Sequence, residues 1–231
     1  MAAVSDLESR GFAVADIQLT HQQCDSLAAS IPAPTAGRGG VRGLVDHPSV
    51  LQFLTHKQLG GYLWSIVGRD LVAVKATLFD KTHDANWRVQ WHQDRIIAIR
   101  ERMDVVGYGP WTVKAGVSHV EPPTAVLEQM LAVRIHLDDC SAGNGALRVI
   151  PGSHAWGKLS ADELQSRVAE TEPMDLPVPK GGLLLMRPLL IHSSSPSTTP
   201  EHRRVLHIEF APIEAISPLQ WHTSVHLRRA A

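Results

Sequence analysis

From Leu71 onward the chain is a succession of short β-rich runs: LVAVKATLF, VQWHQDRIIAI, MLAVRIHL, GALRVI, GGLLLM and RRVLHIEF, separated by turn-forming residues. Helical patterning in this region is confined to about Ser160–Ala169, where Ser160 precedes Ala-Asp-Glu in the manner of a capping box, and to a short turn at Thr124–Met130. Parallel strands need long, usually helical, crossovers. Strands without alternating helices therefore predict a mainly β fold, an antiparallel barrel or two-sheet jelly roll. Helices collect before residue 70: Thr20 caps a segment with Cys24, Leu27, Ala28 and Ile31 at helical spacing, and Pro48–Val67 repeats that spacing. Gly60-Gly61 is expected to break the second segment. GFAVADIQL at 11–19 reads as a strand, PAPTAGRGG as a loop, and the long excursion 102–123 as a lid over a site.

At 231 residues the chain is expected to form one domain, with a helical part over about 1–69 and a β-barrel over about 70–213. With 22 Lys+Arg against 23 Asp+Glu it has no broad basic field, which argues against nucleic acid and anionic membrane as partners. The acidic residues in MAAVSDLESR do not suit an export signal, and no apolar run approaches the roughly 20 residues of a membrane helix. Two distant cysteines, Cys24 and Cys140, suggest neither a disulfide framework nor a structural zinc site. These features predict a cytoplasmic protein. No GxSxG, Walker A or strand-borne GxGxxG motif is present, which removes the usual serine hydrolase, P-loop and dinucleotide readings.

His92 and Asp94 in WHQD are two apart, so on a strand both side chains face one side and can reach one ion. A third imidazole is available at His192 in PLLIHSSS, provided the sheet closes to bring that strand end beside the first. Two histidines and one carboxylate leave coordination positions open, as in non-haem Fe(II) oxygenases; zinc is the less fitting ion.

WHQD at 91–94, LDDCSAGNGALRVIPGSH at 137–154, GGLLLMRPLLIHSSS at 181–195 and HRRVLHIEF at 202–210 follow GFAVADIQLT in an order that resembles the phytanoyl-CoA dioxygenase family. The resemblance covers most of the chain and implies a double-stranded β-helix, the cupin-like jelly roll, with flanking N-terminal helices. It implies Fe(II) as cofactor, 2-oxoglutarate and dioxygen as cosubstrates, and His92, Asp94 and His192 as both the iron ligands and the catalytic centre. The reaction it implies is hydroxylation of a small molecule with release of succinate and CO2; related halogenases lack the carboxylate that Asp94 supplies. An arginine eleven residues past the distal histidine would hold the far carboxylate of 2-oxoglutarate, which falls on Arg203. Rival readings are a 2-oxoglutarate-independent metal enzyme on the same barrel and a non-catalytic binding protein.

A guanidinium fork matches a carboxylate in two charge-assisted hydrogen bonds. Arg204 is the rival to Arg203, because alternate strand residues face opposite sides and only one can point inward. Lys81, about ten residues before WHQD, is a second cofactor-binding cation or an ordinary strand-end lysine. Arg134 interrupts the apolar run LAVRIHL, so it is either a cofactor- or substrate-binding cation or an outward-facing residue. Trp87, Gln90 and Trp91 surround the metal motif; Gln90 shares the face of His92 and Trp91 points away. His119, His136, His154, His202 and His207 are not at ligand spacing and are expected as hydrogen-bonded core, rim or surface residues.

Overall fold

A computed structural model describes residues 2–35, 38–198 and 202–228. The N-terminal part contains α1 (Ala2–Ser9), β1 (Phe12–Gln18), α2 (His21–Ser30), β2 (Gly40–Arg42), α3 (Pro48–Leu54) and α4 (Lys57–Val67). The remainder is β3 (Val72–Lys81), β4 (Val89–His92), β5 (Ile97–Ile99), β6 (Trp111–Lys114), β7 (Val117–Val120), α5 (Thr124–Gln129) and β8 (Leu131–His136). There follow β9 (Leu147–Val149), α6 (Ala161–Glu170), β10 (Met174–Leu176), β11 (Gly182–Met186), β12 (His192–Ser194), β13 (Arg203–Ala211) and β14 (Val225–His226). All pairings are antiparallel, in three sheets: a large one ordered β1-β11-β8-β13-β3-β14 with β2 added on β3, a second ordered β10-β9-β12-β4, and a third ordered β5-β7-β6. The expected closed barrel is not formed: among the described residues the three sheets are hydrogen-bonded separately.

Alternation decides which face of the large sheet does what. Leu131, Val133 and Ile135 of β8, Leu206, Ile208 and Phe210 of β13, and Ala76 and Leu78 of β3 pack with α1–α4 in one buried cluster. Full burial of each large apolar side chain contributes about 1.5–3 kcal/mol, so this face holds the helices in place. Ala132 of β8 and Leu184 and Met186 of β11 share a second cluster with Leu147, Val149 and Leu176, which places the second sheet against the opposite face. That inner face also carries polar residues, and the site is built there.

Local signals account for most helix ends. Thr20 and Ser160 each make a full capping box, with Gln23 and Glu163. The break in Pro48–Val67 falls at Thr55–His56 rather than at Gly60-Gly61, which lie inside α4. Gly60 has a tertiary reason: a Cβ there would stand 2.1 Å from the Arg228 carbonyl oxygen, whereas nothing lies within 4 Å of one at Gly61. Gly61→Ala is accordingly expected to raise stability by about 0.5–1 kcal/mol and Gly60→Ala to lower it, although alanine is the better helix former at both. Urea midpoints of the two variants check this; equal shifts would remove the packing explanation.

VQWHQDRIIAI, expected as one run, splits between β4 and β5 in different sheets. Gln93 occupies the break: its amide donates to the carbonyls of Gly157 and Leu189, both at 2.8 Å, and accepts from Leu159 N–H at 3.1 Å. The 102–123 segment, expected as a lid, contains the β6–β7 hairpin, and Trp111 packs on a core that includes Ile97, Ile99 and Val120. Both cysteines are buried and free. Among the described residues no helix is long and apolar enough to cross a membrane.

Candidate active site

β4 and β12 are neighbours in the second sheet, and their register places His192 directly opposite His92. The two rings are 4.1 Å apart between centroids. Asp94 lies just past the end of β4, so the expected strand alternation does not orient it. Its backbone N–H donates to the Pro188 carbonyl at 2.9 Å, and Gln93 pins the adjoining segment. Asp94 Oδ1 is 3.7 Å from His92 Nε2 and Oδ2 is 3.7 Å from His192 Nε2. The three residues each offer a ligand atom within 4.8 Å of the others.

Protonation is set from behind. His92 Nδ1–H donates to the Gln90 carbonyl and His192 Nδ1–H to the Leu190 carbonyl, both at 2.8 Å. A carbonyl only accepts, so in the neutral ring the lone pair lies on Nε2, facing Asp94, the arrangement that metal-binding histidines need. Burial, then the neighbouring His92, pushes His192 down to about 3, which keeps it neutral. For Asp94 burial opposes the charge, but His192, His207, His92 and Lys75 outweigh it and hold the carboxyl well below the usual carboxylate range. A neutral imidazole pair with an ionised carboxylate is the donor set a divalent ion requires.

The inner face of the large sheet supplies the other part of the site. Arg203 sits opposite Lys81 on β3, and both are buried, at 3% and 0% exposure. Arg203 forms no ion pair or side-chain hydrogen bond among the described residues, and its Nε is buried without a partner. Arg134, also buried, has the same orphaned Nε and, among the described residues, one side-chain hydrogen bond, Nη1 to His207 Nδ1 at 3.4 Å, with its guanidinium 6.0 Å from the Phe79 ring centre. Burial pushes both guanidinium groups below their usual range, Arg134 to about 10. Arg204 points the other way and is satisfied: its Nε and Nη2 grip Asp138 at 2.8 and 2.7 Å.

Lys81 donates to Ser194 Oγ at 2.5 Å and to the Ser195 carbonyl, which ties β3 to the second sheet. Burial, with Arg203 and Arg134 nearby, pulls it down to about 7. Gly145 leaves room for this lysine: it has φ +64°, and a Cβ there would stand 3.1 Å from Lys81 Nζ. Trp91 packs outward with Ile150, Ile191 and Trp156, while Trp87 lies beside the Lys81 ammonium, 5.6 Å from ring centre. His136, His154, His119 and His202 are core or rim residues facing Gly182 O, Glu8 O, Val117 O and Asp80 respectively.

Two site residues escaped the sequence reading. His207 Nε2 stands 3.9 Å from Asp94 Oδ2 and 3.5 Å from Glu209 Oε1, and Glu209 accepts from Lys75 at 2.6 Å. A usable signal existed: in RRVLHIEF the polar residues at 203, 207 and 209 share one parity and Leu206, Ile208 and Phe210 the other. A cavity of about 490 Å³ lies elsewhere, among α2, α3, α4 and β1, on the helix side of the large sheet. Its lining contains no Asp, Glu, Lys or Arg, and it is separate from the histidine cluster.

A family model described as phytanoyl-CoA dioxygenase matches residues 7–205. The chain belongs to the phytanoyl-CoA dioxygenase family. As a family member it is an Fe(II)- and 2-oxoglutarate-dependent oxygenase, with dioxygen as the other cosubstrate. No curated protein matches it. Among solved structures it is similar to AviO1 from Streptomyces viridochromogenes Tue57, at 23% identity over 91% of this chain and 94% of that one, with a TM-score of 0.65. It is also similar to the epimerase SnoN solved with Fe3+, alpha-ketoglutarate and nogalamycin RO, at 14% identity over 92% and 83% of the chains, TM-score 0.67. EctD from S. alaskensis in its apoform gives 15% identity over 92% and 76%, also at 0.67. At these identities the likeness is one of fold. The family's cofactors fit the residues present: two Nε2 atoms converge on a carboxylate, and two buried guanidinium groups form no ion pair among the described residues, each with an Nε left without a partner.

Proposed function

We propose that this family member hydroxylates a small-molecule substrate, with His92, Asp94 and His192 holding Fe(II) and Arg203 holding the distal carboxylate of 2-oxoglutarate. The observation that carries the reading is the convergence of both histidines' free Nε2 atoms on Asp94. Bound iron would supply the oxidation, coupling decarboxylation of 2-oxoglutarate to succinate and CO2 with insertion of one oxygen atom into a C–H bond of the substrate.

The chain's own groups bind and orient. The carbonyls of Gln90 and Leu190 fix the ring orientation of the two imidazoles, and Gln93 fixes the peptide that carries Asp94. Arg203 and Arg134 offer positive charge that no ion pair among the described residues compensates, in a buried setting where a carboxylate gains far more from a guanidinium than it would in water. Lys81 adds to that potential while it braces the two sheets. The order β11-β8-β13-β3 packed against β10-β9-β12-β4, with β3/β4, β8/β9, β10/β11 and β12/β13 each crossing between sheets, supports a double-stranded β-helix arranged as one domain.

Anaerobic titration of the metal-free protein with Fe(II), then 2-oxoglutarate, tests this. A weak visible charge-transfer band is expected on adding the second component, absent in His92→Ala. Iron binding without a band would leave a metal enzyme independent of 2-oxoglutarate, and binding of neither would leave a non-catalytic scaffold.

A further inference from the structure

The strand that carries Arg203 brings two more polar side chains to the same face. His207 lies opposite Arg134 on β8 and Thr77 on β3, and Glu209 lies opposite Lys75. Both are about 4% exposed. Leu206, Ile208 and Phe210 fill the other face of this strand with apolar groups, so polar groups buried here need an account.

 The chain of contacts supplies one.

Arg134 Nη1 stands 3.4 Å from His207 Nδ1. A guanidinium has donors only, so Nδ1 is the acceptor and the neutral ring carries its proton on Nε2. That Nε2–H is turned toward two carboxylates, 3.5 Å from Glu209 Oε1 and 3.9 Å from Asp94 Oδ2. Glu209 Oε1 is in turn held by the Lys75 ammonium at 2.6 Å. Asp94, His207 and Glu209 are close enough together to surround a cation of their own. The protonated Nε2 and the ammonium already on Glu209 disfavour that use, and suit a group that acts on Asp94 from outside the metal site.

We propose that His207 is a positioning residue for Asp94: Arg134 sets its tautomer, the Lys75–Glu209 pair lies against its Nε2–H, and that N–H, 3.9 Å from Oδ2 and so beyond direct hydrogen-bond length, biases the Asp94 carboxylate electrostatically from outside the metal site. The inference rests on the reading of Asp94 as a metal ligand. Partners of this kind, which orient a ligand without touching the ion, typically change metal affinity 10- to 100-fold when removed.

Co(II) titration in the absence of 2-oxoglutarate, followed through its visible d–d bands, tests it. His207→Phe keeps the ring volume and loses the donor, and is expected to bind Co(II) about 10- to 100-fold more weakly with altered bands. His207→Gln, which retains an N–H donor, is expected to recover most of the loss. Wild-type affinity and bands in the Phe variant overturn the proposal, as do equal losses in the Phe and Gln variants, which would indicate packing alone. Failure of the wild-type protein to bind Co(II), or undiminished binding by Asp94→Ala, would instead overturn the metal-ligand reading beneath it. Should the Phe variant not fold, long-range ¹H–¹⁵N spectra of the wild-type protein report the His207 tautomer directly: a proton on Nε2 is expected, and one on Nδ1 overturns the proposal.

Discussion

Asp94→Ala is expected to lose turnover below detection while the metal-free protein melts close to the wild-type temperature. The carboxylate's recorded partners are three imidazoles at 3.7–3.9 Å, longer than hydrogen bonds, so the fold gives up little when it is removed. On the proposed ligand set a bound ion would lose its one anionic ligand, a larger loss than the 10- to 100-fold that an outer partner costs. His92→Ala is expected to behave in the same way, because its ring is 38% exposed and contributes one backbone hydrogen bond to the structure. Succinate release measured with Fe(II) and 2-oxoglutarate, alongside thermal unfolding of the metal-free variants, gives both readings. Retained turnover in either variant would remove the residue from the ligand set.

Arg203→Met and Arg204→Met are expected to give crossed results. Arg203 is buried and forms no ion pair among the described residues, so replacing it with a neutral side chain of similar reach should leave stability unchanged or raise it. Its loss should raise the 2-oxoglutarate requirement by roughly 30-fold or more, the effect of about 2 kcal/mol or above when one partner of a buried charge pair is truncated. Arg204 holds Asp138 through two hydrogen bonds on the far side of the strand. Its replacement should lower the melting temperature and leave the cosubstrate requirement alone. Apparent affinity for 2-oxoglutarate and thermal unfolding, measured on both variants, check the pair; the opposite crossing would move the anchor to Arg204.

The choice between those two arginines shows where sequence reasoning stops. Alternation requires that one face inward and one outward, but RR at the start of a strand carries no mark of which. The register of β13 against β3 and β8 decides it, by placing Arg203 opposite Lys81 and leaving Arg204 to Asp138. His207 and Glu209 were readable from the same parity once Arg203 was assigned inward. Ligand spacing passed them over, because neither belongs to the HxD pattern. Gly60 and Gly61 look identical in the sequence, and the approach of the Arg228 backbone to one of them separates their roles. The single run VQWHQDRIIAI divides because Gln93 finds partners at Gly157, Leu159 and Leu189, distant positions that local propensity does not register.

The β-rich class, the capping box at Ser160, the helix start at Thr20 and the residue types able to hold an ion were legible in the sequence, because alternation, capping and side-chain chemistry act within a few residues. The assembled sheets settle that His192 pairs across from His92, a hundred positions earlier, that Arg134 meets His207 beside Asp94, and that Arg203 sits opposite Lys81. Those juxtapositions follow from strand register and sheet packing, which depend on the summed burial of two faces and leave no signature in any one segment.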